Sequence, residues 1–136
     1  MILLVNGGRR SGSTLMFNAL RKLTEFRAIA TDDIGLVEEA YKETNDLVVK
    51  SHAILQPRRR WVRFYSRRCP KAAAASKIRL AAAAGTVFGP DRIRNTITEC
   101  VEAYGRAVFR GDHVFEYRDR ETWVERIASL VGGFGR

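Results

Sequence analysis

Gly7 and Gly12 stand five positions apart and enclose Gly8, Arg9, Arg10 and Ser11, with Ser13 and Thr14 directly after them. Glycine lets a backbone turn tightly and approach an anion, and where such a turn opens a helix the free amides and the positive helix end point at that anion. The chemistry on offer is capture of a phosphate or sulfate. Lys50 and His52 follow the apolar run Leu47, Val48, Val49. Their alternate spacing in an extended chain predicts both side chains on one side, a cation beside a titratable base. An imidazole with an ordinary pKa of ~6.5 is available in neutral form at physiological pH. Arg68 falls at the end of a third run, Trp61 to Tyr65, and Ser76 lies eight positions further on. Pro70 is suited to be the first residue of the helix that would carry Ser76. Open parallel sheets gather ligands at the carboxyl ends of their strands, which predicts that Lys50 and His52 lie near the glycine turn.

The loop fits the phosphate-loop pattern of two glycines followed by a hydroxyl residue, except that Ser13 stands where nucleotide hydrolases carry lysine. Arg9 and Arg10 supply charge from inside the loop instead. Arg9 to Leu15, RRSGSTL, resembles the 5′-phosphosulfate loop of sulfotransferases, most closely the tyrosylprotein and carbohydrate branches. VVKSH is similar to the Lys-Thr-His segment of the cytosolic members. Arg68, Pro70 and Ser76 resemble the family's Arg-Asp-Pro-Arg-Asp-x-x-x-Ser segment, with Cys69 and Ala72 in place of aspartates and Lys71 in place of arginine. The three segments occur in the family's order.

That resemblance implies a donor, 3′-phosphoadenosine 5′-phosphosulfate (PAPS), a product, adenosine 3′,5′-bisphosphate, and no metal. It implies that Arg9, Arg10, Ser11, Gly12, Ser13 and Thr14 hold the 5′-phosphate and that Arg68 and Ser76 hold the 3′-phosphate. Arg10 and Lys50 would offset charge developing on the bridging oxygen, and His52 would take the proton of an acceptor hydroxyl or amine. The acceptor would be a small molecule or a glycan, an acidic one included. The late Arg-Lys-Gly segment that many cytosolic members place around the donor is missing, which leaves open a minimal member or a homo-oligomer whose neighbouring subunits complete the site.

Positioning these residues requires alternating strands and helices. Apolar runs predict strands near 2–5, 47–50, 61–65 and 113–117, and helical spacing appears at 12–26, 33–44, 70–84, 90–110 and 119–131. Asp119 reads as the last helix's N-cap, Glu121 as part of its first turn and Gly132 as its end. The alanine runs at 72–75 and 81–84 predict packed helix rather than disorder. The expectation is an α/β fold, a parallel sheet sandwiched between helices in three layers, and by the resemblance one like that of the phosphate-loop NTPases. The 136 residues suit one domain, with a core that needs no staples. Cys69 and Cys100 have no paired spacing, so neither a disulfide framework nor a zinc site is expected, and reduced thiols point to the cytoplasm. The opening apolar run is too short for a signal peptide and no stretch reaches the ~20 residues of a membrane span.

Lys and Arg number 24 against 15 Asp and Glu, a formal net charge of +9. Arg58, Arg59, Arg60, Arg63, Arg67, Arg68, Lys71, Lys77 and Arg79 crowd one stretch among Trp61, Phe64 and Tyr65, a mixture that also suits a nucleic-acid backbone with stacked bases. Two other classes therefore stand beside the transferase: a non-catalytic basic nucleotide- or nucleic-acid-binding module, and a phosphotransferase in which Asp32 or Asp33 holds magnesium. Ser13 and Lys50 stand against the latter. Arg58 to Arg60 are left either to steer an anionic acceptor or to form a solvated loop.

Overall fold

The computed structural model describes residues 1–8, 10–110 and 113–132, with 107–110 by backbone alone. Five strands form one all-parallel sheet: β1 (Ile2–Gly7), β2 (Arg27–Ala30), β3 (Leu47–Lys50), β4 (Trp61–Arg67) and β5 (His113–Glu116). Their order is β2-β3-β1-β4-β5. The helices are α1 (Ser13–Thr24), α2 (Ile34–Glu43), α3 (Pro70–Ala83), α4 (Pro90–Arg110) and α5 (Trp123–Val131), with a 3₁₀ segment over Tyr117–Thr122 before α5. The architecture is the expected α/β one.

β1 is the central strand, and its composition explains why. Leu3 lies between Val48 of β3 and Val62 of β4, so the strand is paired on both edges. Alternate residues then serve two cores. Leu3 and Val5 pack with Met16, Leu20, Phe115, Trp123 and Ile127 under α1 and α5. Ile2 and Leu4 pack with Val37, Ala40, Leu47 and Val49 under α2 on the opposite face. A strand covered on both faces reads as a continuous apolar run, which is what residues 2–5 are. α3 and α4 pack against each other, and the buried Tyr65 hydroxyl donates to the Ala103 carbonyl of α4 at 2.9 Å.

Three segments depart from the sequence reading. α1 ends at Thr24, not 26, because Glu25 turns left-handed at φ 59° and starts the edge strand β2 two residues later. β2 has no strong strand signature: Arg27 and Ala30 are exposed, and only one edge of the strand is paired. The last helix begins at Trp123 rather than 119. Asp119 sits inside the 3₁₀ segment at φ −101°, ψ 18°, and Thr122 is the N-cap, so neither Asp119 nor Glu121 caps or opens α5. The physical reason is Trp123, whose ring is 1% exposed against Phe115 and Tyr117 and whose indole N–H donates to the Glu116 carbonyl at 3.0 Å. Of the alanine runs, Ala73 and Ala74 are buried, whereas Ala82 to Ala84 are helical or capping but exposed. Gly132 caps α5, and Gly133 and Gly135 lie outside the described residues. No helix among the described residues is long and apolar enough to cross a membrane.

Candidate functional site

The turn after β1 is shaped by what presses on its glycines. A Cβ on Gly7 would stand 2.6 Å from the Ser66 carbonyl oxygen, and one on Gly12 would stand 2.7 Å from the Trp123 ring. Gly12 also has φ 94°, a conformation that costs an L-residue roughly 1–2 kcal/mol. It is the N-cap of α1 without a side-chain cap, and no acid occupies the first turn, so the helix presents free amides and positive potential to the loop. Behind the loop, Ser11 and Ser66, both buried, share a 3.0 Å hydroxyl contact. Arg10 adopts φ 60°, an uncommon conformation for a non-glycine residue that concentrates at functional sites. Arg9 lies outside the described residues.

Arg10 is held from the β4 to α3 junction. Its Nε donates to Ser76 Oγ at 3.1 Å, and Arg68 Nη1 donates to its carbonyl oxygen at 3.2 Å. The two sequence-distant places, 10–14 and 68–76, therefore meet at one edge. Pro70 at N1 starts α3 directly after Cys69, which puts Ser76 on the turn that faces the loop. The Arg68 guanidinium also stacks 4.2 Å from the Tyr117 ring centre, as Arg120 does at 4.5 Å.

Lys50 closes the other flank, its Nζ donating to Thr14 Oγ1 at 2.7 Å. The strand ends there, so the pleat that would keep Lys50 and His52 on one side does not extend to His52. Residues 51–53 instead form a turn pinned from two directions. Asn6, buried at the end of β1, donates to the carbonyls of Ser51 (2.8 Å) and Ala53 (2.9 Å). Asp32 Oδ1 accepts from His52 N–H (2.8 Å), Ser51 Oγ (2.9 Å) and Ala53 N–H (3.4 Å). The His52 amide, then the Ser51 hydroxyl, hold the Asp32 carboxyl below its usual range. His52 lines a cavity of about 310 Å³ together with Gly7, Gly8, Lys77, Glu99, Cys100 and Arg106 among others. Burial pushes the Cys100 thiol up, which keeps it protonated.

Asn6, Ser66 and the α4 residues Glu99 and Arg106 carry no motif in the sequence; Asp32 is read there only as a magnesium ligand and Cys100 only for disulfide or zinc pairing. The four-residue spacing of Glu99 and Ala103 on α4 was the available signal, since it puts both on one helix face. Asp33 is spent as the N-cap of α2, accepting from Gly35 N–H at 2.8 Å. The basic stretch is dispersed: Arg63 is buried against Asn6, Arg67 pairs with Glu116, and Arg59 stacks on Tyr41 of α2. Arg60 precedes the amino end of β4, where its carbonyl accepts from Ile2 N–H, at the opposite end of the sheet from the loop.

These elements gather free backbone amides and the cations Arg10, Lys50 and Arg68 at the carboxyl ends of β1, β3 and β4, beside the cavity that His52 lines. Compared with known proteins, the chain matches no family model and no curated protein, so its chemistry rests on these residues.

Proposed function

We propose that the chain is a sulfotransferase that moves a sulfuryl group from PAPS to an acceptor hydroxyl or amine. The observation that carries this reading is the contact of the loop with the β4 to α3 junction through Arg10, Ser76 and Arg68. A nucleotide with phosphates on both sides of its ribose needs two anion sites within one ligand's reach, and the contact between the glycine turn and the Arg68–Ser76 junction supports such an arrangement. The glycine turn and the uncapped α1 fit the 5′-phosphate, and Arg68 with Ser76 fits the 3′-phosphate.

The donor, when bound, supplies an activated sulfuryl group. Amides of Arg10 and of Gly12 to Thr14, with the Thr14 hydroxyl, orient it, the Ser11 amide being spent on the Gly8 carbonyl, while Arg10 and Lys50 stabilise charge on the leaving oxygen. His52, on the turn fixed by Asn6 and Asp32, takes the acceptor's proton from the adjoining cavity. The phosphotransferase reading is less well supported, because Asp33 is committed to a helix cap and Asp32 to the 51–53 turn. The nucleic-acid reading wants a continuous basic face, and the arginines are scattered over different surfaces and the interior.

Calorimetric titration tests the donor before any acceptor is known. Adenosine 3′,5′-bisphosphate is expected to bind more tightly than ATP with magnesium, and Arg68→Ala and Ser76→Ala to erase that preference. His52→Ala should leave bisphosphate binding intact and lower sulfuryl transfer by about 10²–10⁴-fold. Binding of ATP with magnesium and not of the bisphosphate overturns the reading.

A further inference from the structure

A second depression, about 350 Å³, runs from the loop along the α3 to α4 hairpin. Lys77, Leu80, Ala81 and Ala84 lie at i, i+3, i+4 and i+7 on α3 and its cap, a single helix face. Alanines leave a trough where larger side chains would fill it. Leu80 is 54% exposed and forms one wall; Phe88, 7% exposed, forms the other, with the Arg92 guanidinium 4.0 Å from its ring centre. Arg10 and Lys77 stand at the loop end. Lys77 also lines the His52 cavity, so trough and cavity meet at its side chain.

The charges say what the trough suits. Lys77 is paired with Glu99 at 3.4 Å, and Asp91, next to Arg92 in sequence, is paired with Arg94 at 2.9 Å. Among the described residues neither Arg10 nor Arg92 has a carboxylate partner. An apolar trough ending in guanidinium groups whose charge no carboxylate among the described residues balances complements an elongated anion with an apolar middle. From Lys77 to Ala84 the helix rises about 10 Å, the length of a medium acyl chain.

We infer that this trough binds a medium-chain amphiphilic carboxylate, its carboxylate at Arg92, and that a hydroxylated chain of this kind is the acceptor. The acceptor part of the inference rests on the proposed transferase function. The hydroxyl at the far end of the chain would enter the His52 cavity past Lys77. Its oxygen forms the new bond to sulfur and the bond from sulfur to the bridging phosphate oxygen breaks. The bisphosphate leaves with that electron pair, and His52 takes the hydroxyl proton.

The test is calorimetric titration of the whole chain with decanoate, ω-hydroxydecanoate and decyltrimethylammonium, below their micelle concentrations, alongside adenosine 3′,5′-bisphosphate. Both carboxylates should bind and the cationic chain should not. Arg92→Glu and Leu80→Glu, both at exposed positions, should each weaken decanoate by about tenfold or more and leave bisphosphate affinity unchanged. Equal binding of the cationic chain, or decanoate binding indifferent to both substitutions, overturns the inference. Bisphosphate binding without decanoate binding defeats the trough alone. Decanoate binding sensitive to Arg92→Glu with no bisphosphate binding keeps the carboxylate site and defeats the transferase reading. Attachment only to anionic lipid vesicles, with no uptake of monomeric decanoate, also overturns it.

Discussion

Asp32 accepts three hydrogen bonds on one carboxylate oxygen, and what they immobilise is the backbone of His52. The carboxyl is held below its ordinary value of 3.8, so the ionised form is the one the fold favours. The sign follows: the clamp is at full strength above the unfolded value and is lost as the pH falls through the lower folded one. Amide exchange at His52 and Ala53 should therefore be protected at neutral pH and lose protection in acid. Asp32→Asn should remove both the protection and its acid dependence, measured by NMR-detected hydrogen exchange; unchanged protection in the variant would show that Asn6 alone holds the turn. This clamp was not legible in the sequence, because its partners are 20 residues away and meet only through strand order. The turn that carries Arg10 was legible because glycine spacing fixes local geometry wherever it occurs, whereas Arg68 and Ser76 stood out through the family resemblance, with Pro70 marking only the helix start.

α1 ends on a residue that resists its own conformation. Glu25 is exposed and left-handed at φ 59°, the place where a helix most often carries glycine. Glu25→Gly should raise stability by about 1 kcal/mol, read as a higher urea midpoint with unchanged slope; a lower midpoint would mean that the glutamate contributes more than its backbone costs. The same short connection hid β2 from the sequence. An edge strand of four residues buries too little to need a strong apolar pattern, and the helical spacing of α1 ran on through Phe26. At the other end of the chain, DRET looked like a capped helix start because acids favour first turns. The need to bury Trp123 outweighed that local preference and moved the helix boundary.

For the molecule as a whole, the five-strand order joins the core to the glycine turn. Trp123 packs in the α1–α5 core and also sits against Gly12. Trp123→Ala should cost roughly 3–5 kcal/mol in denaturant unfolding and, if the protein remains folded, weaken bisphosphate binding as well. Intact affinity in a folded variant would separate loop from core. Alternating patterns made the layered architecture legible, since each apolar run could bury itself only under neighbouring helices. The distribution of charge was not legible, because Arg63 and Arg67 have the same parity on β4 and yet Arg63 is buried beside Asn6 while Arg67 meets Glu116 of the neighbouring strand, a difference that only the assembled sheet decides.

The position of β1 has a temporal consequence. The opening residues of this chain occupy the middle of the sheet, and the partners on their two edges begin at Leu47 and Trp61. As the protein is synthesised, both edges of this apolar strand stay unpaired until Leu47–Lys50 and Trp61–Arg67 have been made, although Met16 and Leu20 of α1 can cover one of its faces earlier. Assembly therefore begins with distant pairing, the slow regime for a parallel sheet.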